Sequence, residues 1–460
     1  MKPVEARWKD YIEENLLKSK KSAYQTSLSI QNSPLEYEIP DGEGTVPIYT
    51  KTLQIPKFFT QKDKERFTEI CDTFTGIFEK TIDAYRKDPA VRRLFHFPPT
   101  LTRFINLEPG YKAAMPILRI DIFYDEMSGD FKVCEFNTDG TSAMYENNQM
   151  YEFLKLNNAW NALQPEAEYL ELMDTLAEAL LKDIKEATGK DNPSIVISDF
   201  LEDAYLPELY AFERLFNKRG IPCEVVDIRE LDYDGKKLFN PKTGMRFDAL
   251  YRRAVTRDIM DHLHDIAPFL LAAHDGNVVL LGSFKTQIPH SKMISEALFQ
   301  PELQQYFTKE EVDFIEKHMP LAFDLKKDQV ARVLADKDRW IIKPKDGYGA
   351  KGVWAGVDVS EKLWEKLVKD FAGMGYIVEE YIPHYQTINI DLLGQDGFKD
   401  YSNLTGLYVY NGKFAGVYSR LSDAGIVSTQ YNERMVPTLF LTGEENRINT
   451  EAIEKELSKR

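Results

Sequence analysis

The chain is poor in the features that would assign it to several large protein classes. Its 460 residues include only three cysteines, Cys71, Cys134 and Cys223, which lie far apart and form no Cys-x-x-Cys pair. A disulfide framework or a zinc site of the usual spacing is therefore not indicated. No apolar run approaches the roughly 20 residues that span a bilayer, and the charged N-terminus, MKPVEARWKDYIEENLLKSKK, has no apolar signal core. We expect a soluble, cytoplasmic protein.

Positive charge is scarce as well. The 58 Lys and Arg residues are outnumbered by 74 Asp and Glu residues, which gives a formal net charge of −16. Because nucleic-acid binding needs a basic footprint, we expect no nucleic-acid partner, and no membrane partner either. Internal repeats and low-complexity tracts are absent, and nothing in the sequence indicates an oligomeric state. The chain is 43% hydrophobic and 12% aromatic, which is enough for large cores in two or three lobes.

The periodicity of apolar residues divides the chain into four regions. Residues 1–100 contain a charged helix and a strongly amphipathic one, KERFTEICDTFTGIFEKTIDAYR. Residues 101–190 contain a hairpin and a second long helix. Strand, helix and strand alternate over residues 191–285, which predicts a parallel, Rossmann-like lobe, although no Gly-x-Gly-x-x-Gly follows its first strand. Residues 286–460 are dominated from about position 336 by strands and glycine loops.

The hairpin in the second region carries a concentration of charged side chains. Its strands contain Arg119-Ile120-Asp121 and Glu135-Phe136-Asn137. If Met127-Ser128-Gly129 forms a three-residue loop, Glu126 pairs with Asp130. Counting outward from that pair sets Asp121 beside Glu135, and Arg119 beside Asn137, with Val133 on the same face as Glu135.

Two carboxylates side by side on one sheet face repel each other. A divalent cation would convert this repulsion into binding, since Mg²⁺ takes one or two carboxylates together with phosphate oxygens. The alternative is a solvated hairpin in which Arg119 only neutralises the two acids.

A second chemical cluster lies in the segment WIIKPKDGYGAKGVWAGV. A strand ends at Lys343, a loop with Gly347, Gly349, Lys351 and Gly352 follows, and a second strand begins. Glycines let backbone N–H groups approach phosphate oxygens closely, and the lysines supply positive charge. The pattern predicts a glycine hairpin between antiparallel strands that covers a nucleotide; the alternative is an exposed loop.

The segment Tyr376–Pro383 runs from a predicted buried strand into a polar break. Glu379, Tyr381 and Ile382 lie where a linker between two lobes would expose backbone groups beside aliphatic side chains. Such groups can hydrogen-bond the edge of an adenine.

The strand lysine, the glycine flap and the linker, in that order, resemble the nucleotide-binding half of the ATP-grasp superfamily. In the usual ATP-grasp order the metal-binding Glu-x-Asn follows the linker, whereas Glu135-Phe136-Asn137 lies about 200 residues before Lys343. This order resembles the circularly permuted branch, typified by the synthetase part of glutathionylspermidine synthase and, more distantly, eukaryotic glutathione synthetase. The resemblance implies an α/β (α+β) fold, a circularly permuted ATP-grasp with a Rossmann-like pre-ATP-grasp lobe.

The resemblance also implies a role for each region and residue. Residues 1–100 would be an N-terminal helical region, 101–190 the metal-binding part of the core, 191–285 the Rossmann-like lobe and 286–460 the nucleotide-binding part. Arg119 would be catalytic, and Asp121, Glu135 and Asn137 would hold Mg²⁺. The residues implied to bind ATP are Lys292 (in HSKMISEALF), Lys343, Gly347, Gly349, Lys351, Gly352, Glu379, Tyr381 and Ile382.

The implied activity is that of an ATP-dependent carboxylate–amine ligase, which forms an amide through an acyl phosphate from a small-molecule carboxylate (a peptide or amino acid) and an amine. The segments near the substrate depart from the family pattern: Thr138-Asp139-Gly140-Thr141-Ser142 replaces Ala-Asp-Thr-Pro, and the flap is not Gly-Arg-Glu-Gly. Glutathione and spermidine, or another peptide or amino acid, therefore stay open as substrates. One of Arg252, Arg253 and Arg257 is a candidate for holding a substrate carboxylate. Two other functions stay open, a nucleotide-binding regulatory protein without ligase turnover and a phosphotransferase.

Overall fold

The structure is a computed structural model that describes residues 1–41, 44–345, 352–424, 427 and 432–459. Its strands are β1 (Glu36–Asp41), β2 (Gly44–Tyr49), β3 (Lys57–Phe59), β4 (Ile117–Tyr124), β5 (Phe131–Asn137), β6 (Ala167–Glu168), β7 (Ile195–Asp199), β8 (Cys223–Asp227), β9 (Asp232–Tyr233), β10 (Leu238–Phe239), β11 (Arg246–Phe247), β12 (Ala249–Arg252), β13 (Val279–Leu281), β14 (Ala322–Asp324), β15 (Trp340–Pro344), β16 (Trp354–Ala355), β17 (Tyr376–Glu380), β18 (Gln386–Asn389), β19 (Lys399–Tyr410), β20 (Lys413–Ser422), β21 (Arg434–Val436) and β22 (Thr438–Leu441).

The α-helices of the described residues occur before, between and after these strands. They are α1 (Pro3–Glu14), α2 (Leu16–Gln31), α3 (Gln61–Lys87), α4 (Pro89–Phe95), α5 (Pro99–Ile105), α6 (Met144–Leu154), α7 (Asn158–Leu163), α8 (Met173–Thr188), α9 (Leu206–Lys218), α10 (Thr256–Asp261), α11 (Ala267–His274), α12 (Gln287–His290), α13 (Ile294–Ala297), α14 (Pro301–Gln304), α15 (Lys309–His318), α16 (Val330–Ala335), α17 (Glu361–Phe371) and α18 (Gly443–Leu457). Within the described ranges, no helix combines the length and the apolar character needed to cross a membrane.

The largest sheet joins the two ends of the sequence. Its strand order is β21-β20-β19-β4-β5, and β18 pairs with the first part of β19. All of these pairs are antiparallel. The hairpin β4–β5 is thus hydrogen-bonded to strands that lie almost 300 residues later in the chain.

The long amphipathic helix α3 covers one face of this sheet. It begins with a capping box in which the Thr60 hydroxyl accepts from the Asp63 N–H. Its Phe74 and Phe78 rings meet Phe136 of β5 edge to face, with centroids 5.0 and 4.6 Å apart. Because successive side chains of a strand point to opposite faces, burying Phe136 against α3 directs Glu135 and Asn137 away from this core.

The predicted Rossmann-like lobe is present as a parallel sheet with the order β13-β12-β7-β8. Ile195 and Ile197 of β7 share a core with residues of α8 and α9. Val196 points to the opposite face, into the core that contains Phe269 of α11. Both faces of the sheet are therefore buried, as is usual for parallel sheets.

A smaller sheet, with the order β14-β17-β15-β16, has a core of its own. Trp340 and Ile342 of β15 pack there with Trp364 of α17, apart from the main core. The antiparallel pairing of β15 with β16 confirms the hairpin that the glycine pattern predicts. Lys343 therefore lies on a sheet whose hydrophobic core is separate from the main core.

Candidate functional site

The hairpin brings the two charged motifs together as predicted. Arg119 pairs with Asn137, and Asp121 pairs with Glu135, across β4 and β5. The predicted register is therefore confirmed at these four residues.

The predicted turn, in contrast, is wrong. The hydrogen bond that closes the turn runs from the Asp125 N–H to the Asp130 carbonyl, so Glu126 does not pair with Asp130. The Glu126 side chain is instead buried against the ammonium groups of Lys2 and Lys57. A bulge next to Asp121 compensates for this one-residue shift. As a consequence Val133 lies in the hydrophobic core, not on the face of Glu135.

Asp121 is the centre of a buried ion-pair network. It has no exposed surface. Arg119 donates to both of its oxygens, from Nε to Oδ1 at 2.7 Å and from Nη2 to Oδ2 at 3.0 Å. Arg420 of β20 donates from Nη2 to Oδ2 at 2.7 Å and also reaches Glu433 at 3.5 Å. Two guanidinium groups therefore converge on the Asp121 carboxylate through charge-assisted hydrogen bonds.

Asn137 lies between the two acids. Its Nδ2 is 3.3 Å from Asp121 Oδ2 and 3.4 Å from Glu135 Oε1. Burial alone would raise the pKa of Glu135, but the positive charges of Lys292, Arg119, Arg420 and Lys343 lower it to about 2. Glu135 is thus ionised under all physiological conditions.

This donor set fits Mg²⁺. Asn137 lies between two carboxylates, and Mg²⁺ prefers oxygen ligands with few protein carboxylates. Both Asp121 oxygens accept from arginines, so a metal would share this carboxylate with Arg119 and Arg420. Among the residues that the structure describes, no group of three or more His, Cys, Asp or Glu side chains is arranged to hold a metal ion.

Three separate segments line an open cleft in front of the hairpin, with a cavity volume of about 50 Å³. Its walls are formed by β5, by the segment around α12 and α13, and by the smaller sheet. The lining residues are Cys134, Glu135, Phe136, Asn137, His290, Ser291, Lys292, Ile294, Ser295, Lys343 and Glu379. Glu135, Asn137 and both predicted phosphate-binding lysines therefore face the same space, whereas Asp121 has no exposed surface and is not among the lining residues.

Lys343 is held by Glu379 on the neighbouring strand. Its Nζ donates to Glu379 Oε1 at 2.6 Å and lies 3.5 Å from the Cys134 carbonyl oxygen. Burial would lower the pKa of Lys343, but the Glu379 carboxylate outweighs that effect and raises it. The lysine therefore stays charged at the edge of the cleft.

The flap and the linker are described in part. Gly347, Gly349 and Lys351 lie outside the described residues. Gly352 has a φ of +74°, a left-handed conformation that favours glycine. The Tyr381 N–H donates to the Arg339 carbonyl at 2.8 Å, and Ile382 follows it in a half-buried position; nucleotide binding by Glu379, Tyr381 and Ile382 stays a prediction.

Two of the three arginines predicted to hold a substrate carboxylate have internal partners; the prediction for Arg257 is not tested. Arg252 pairs with Asp139 at 2.6 Å, and Arg253 pairs with Glu208 at 2.7 Å. Both are buried ion pairs within the protein, because each guanidinium needs a partner once it is removed from water. These two arginines are thus committed to internal carboxylates.

Several residues of the site were not among the main candidates predicted from the sequence. Gly406 reaches Asp121 through the pairing of β19 with β4, and Glu433 reaches Arg420 beside β21, which pairs with β20. The segment GVYSRLSDAGIVS made Arg420, with Ser419, a minor candidate for lining the nucleotide pocket. His290 lies two residues before Lys292, and that short spacing was the only available signal.

Comparison with known proteins identifies the family. The model of a circularly permuted ATP-grasp domain matches residues 101–377, more than half of the chain. The chain belongs to the circularly permuted ATP-grasp family. Members of the ATP-grasp superfamily generally bind ATP with Mg²⁺, and the fold is typical of ATP-dependent ligases.

Similarity to solved structures agrees with this fold. A glutathione synthetase-like effector from Globodera pallida, in its apo form, is 11% identical with a TM-score of 0.57, and the match covers 92% of this chain and 97% of the effector. A candidate gamma-glutamylcysteine synthetase from Methylobacillus flagellatus KT is 10% identical with a TM-score of 0.42, over 83% and 94% of the two chains. The second score is too low to support a structural argument. No curated protein matches the sequence significantly.

Proposed function

We propose that this ATP-grasp protein is a carboxylate–amine ligase that activates a small-molecule acid as an acyl phosphate and transfers the acyl group to an amine. The observation that carries the proposal is the common cleft of Glu135, Asn137, Lys292 and Lys343. Two lysines and a set of oxygen ligands facing one space suit a magnesium-bound triphosphate better than any neutral ligand.

Arg119 is proposed as the residue that stabilises the transferring phosphoryl group. Its guanidinium is pre-positioned by a bidentate pair with Asp121, so no reorganisation is needed as negative charge develops. Lys343 and Lys292 would hold the nucleotide phosphates. Asp121, Glu135 and Asn137 would hold Mg²⁺, which neutralises phosphate charge when bound.

Water would have to be excluded from the site while the acid and the amine react. An acyl phosphate hydrolyses when exposed, so the site needs a cover during the reaction. We assign that role to the loop between β15 and β16, which includes Gly347, Gly349, Lys351 and Gly352. Glutathione and spermidine are the substrates that the family resemblance suggests, and another peptide or amino acid fits the same chemistry.

A turnover screen tests the proposal. Purified protein with ATP and Mg²⁺ is supplied with pairs of acids and amines, and released phosphate is measured together with product mass. Hydroxylamine is added in a parallel series, because it traps acyl phosphates as hydroxamates. We expect ADP, phosphate and an amide with one pair, and a hydroxamate with the same acid alone.

Other outcomes point to other functions. Release of ADP and accumulation of a phosphorylated product without any need for a nucleophile would indicate a phosphotransferase. Thermal stabilisation by ATP with no ADP from any pair would indicate a nucleotide-binding regulatory protein. Either result would overturn the ligase proposal.

A further inference from the structure

A group of buried acids lies beside the Asp121 network, outside the magnesium and phosphate cleft. Glu146 is on the first turn of α6, Glu208 is on α9, and Glu433 precedes β21. Glu146 is 4% exposed and Glu208 is fully buried. Helix α6 begins two residues after Ser142, whose carbonyl accepts from Arg119 Nη1 at 3.2 Å. The group is therefore adjacent to the proposed reaction centre.

Two of these acids have partners and the third does not. Glu208 is paired with Arg253 and accepts from the Tyr145 N–H at 3.0 Å. Glu433 is reached by Arg420 at 3.5 Å. Glu146 Oε2 is shielded from solvent but has no hydrogen-bond donor in the part of the chain that the structure describes. An unsatisfied buried carboxylate oxygen is unfavourable, so it marks a place where a donor is missing.

The charged groups around Glu146 also favour a cationic ligand. Four carboxylates, of Asp121, Glu146, Glu208 and Glu433, surround three guanidinium groups, of Arg119, Arg253 and Arg420. Burial raises the pKa of Glu146 well above its usual range, and Glu208 and Glu433 add to this shift. This shift favours a protonated Glu146 in the free protein, and a cation bound beside it would favour the ionised carboxylate.

Aromatic rings complete the surroundings. Tyr408 and Tyr418 lie 5.9 and 5.6 Å from the Arg119 guanidinium carbon, and both are close enough to Glu146 for its charge to act on their hydroxyl groups. Carboxylates combined with aromatic faces suit an organic ammonium ion. A hydrated magnesium ion, in contrast, needs several oxygen ligands.

We propose that Glu146 binds the protonated amino group of the amine substrate and accepts one of its protons, so that the neutral amine can attack the acyl phosphate and expel phosphate. The inference rests on the proposed ligase function, which it extends by defining the amine as a primary alkylammonium compound. Such a group carries N–H donors, one of which would satisfy Glu146 Oε2, and a positive charge, which would favour the ionised carboxylate. Binding there would hold the amine near Ser142, whose carbonyl accepts from Arg119.

The first test separates amine binding from acid activation. The variant Glu146→Gln keeps the size of the side chain and removes its charge, and Glu152→Gln is the matched control on the exposed side of the same helix. With the acid and amine found by the turnover screen, we expect Glu146→Gln to raise the amine KM about 10- to 100-fold, the usual effect of losing a charged hydrogen bond. Hydroxamate formation with neutral hydroxylamine should stay within a factor of two or so of wild type, which also shows that the variant is folded.

The second test needs no turnover. Binding of butylammonium chloride is measured by ligand-observed NMR for the wild type and both variants, with n-butanol as the neutral probe. We expect saturable binding of butylammonium that is weakened about 10- to 100-fold by Glu146→Gln only.

Failure of the two proposals is distinguishable. An unchanged amine KM, or equal butylammonium affinity in Glu146→Gln and wild type, overturns the amine subsite even if the protein is a ligase. Absence of hydroxamate with every acid overturns the ligase, and the NMR measurement then still decides whether an ammonium ion binds at Glu146.

Discussion

Gly406 of β19 lies directly opposite Asp121 of β4, and a methyl group at position 406 would be 2.9 Å from Asp121 Oδ1. The same methyl group would be 3.1 Å from Arg119 Cδ. The missing side chain leaves room for the ion pair that we place at the reaction centre. The chain therefore needs glycine here for space and not for backbone conformation.

The variant Gly406→Ala should displace the Arg119–Asp121 pair and lower turnover about 10²-fold, because misplacement of a catalytic group by about 1 Å has an effect of that order. Steady-state kinetics with the substrates of the screen measure this. Gly397→Ala is the control, since an added methyl group there meets no atom within 4 Å. Wild-type turnover in Gly406→Ala would mean that the position of this pair is not critical.

Arg119 itself provides the most direct test of the chemistry. We expect Arg119→Ala to reduce turnover about 10²- to 10³-fold, the effect of removing one pre-positioned donor. ATP binding, measured by calorimetry, should change little because Lys292 and Lys343 remain. Arg119→Lys should recover little activity, since a lysine cannot form the bidentate pair with Asp121. Equal losses of ATP binding and turnover would contradict the assigned role.

The pair of Lys343 and Glu379 combines a structural and a functional role that a double variant separates. Lys343→Met leaves the Glu379 carboxylate buried and unpaired, which should cost about 3–5 kcal/mol in the free energy of unfolding. The double variant Lys343→Met with Glu379→Gln should regain most of this stability but not ATP affinity. Urea unfolding and ATP calorimetry give the two readouts. Recovery of ATP affinity in the double variant would remove Lys343 from the nucleotide site.

Glu135 should make stability depend on acid pH in a recognisable way. Its pKa is about 2 in the folded protein against an ordinary value of 4.5, so its ionised form stabilises the fold. That contribution is fully present above pH 4.5 and is lost as the pH falls through about 2.

The stability of Glu135→Gln should consequently fall less steeply than that of wild type over this range, as measured by urea unfolding at successive pH values. Asp130→Asn, in the exposed turn of the same hairpin, is the control and should follow wild type. Parallel pH profiles for Glu135→Gln and wild type would contradict the lowered pKa.

The hairpin illustrates how far sequence reasoning reaches. Alternation correctly placed Asp121 beside Glu135, yet the turn that was used to derive this pairing is not the one formed. Burial of Glu126 with Lys2 and Lys57 shifts the turn by one residue, and the bulge beside Asp121 shifts the register back. No local pattern reveals either event, because both depend on lysines from other parts of the chain.

The sequence by itself determined the alternating strands, the parallel lobe, the glycine hairpin and the order of motifs that identifies a permuted ATP-grasp, because these depend on local periodicity and on residue type. Only the tertiary structure decided that Arg420 reaches Asp121 and that Gly406 leaves space for the ion pair of Arg119 with Asp121. It also decided that Arg252 and Arg253 are engaged internally, and that the buried Glu146 Oε2 has no donor among the described residues. Such contacts arise from sheet pairing and burial between segments hundreds of residues apart, which leave no periodic trace in the chain.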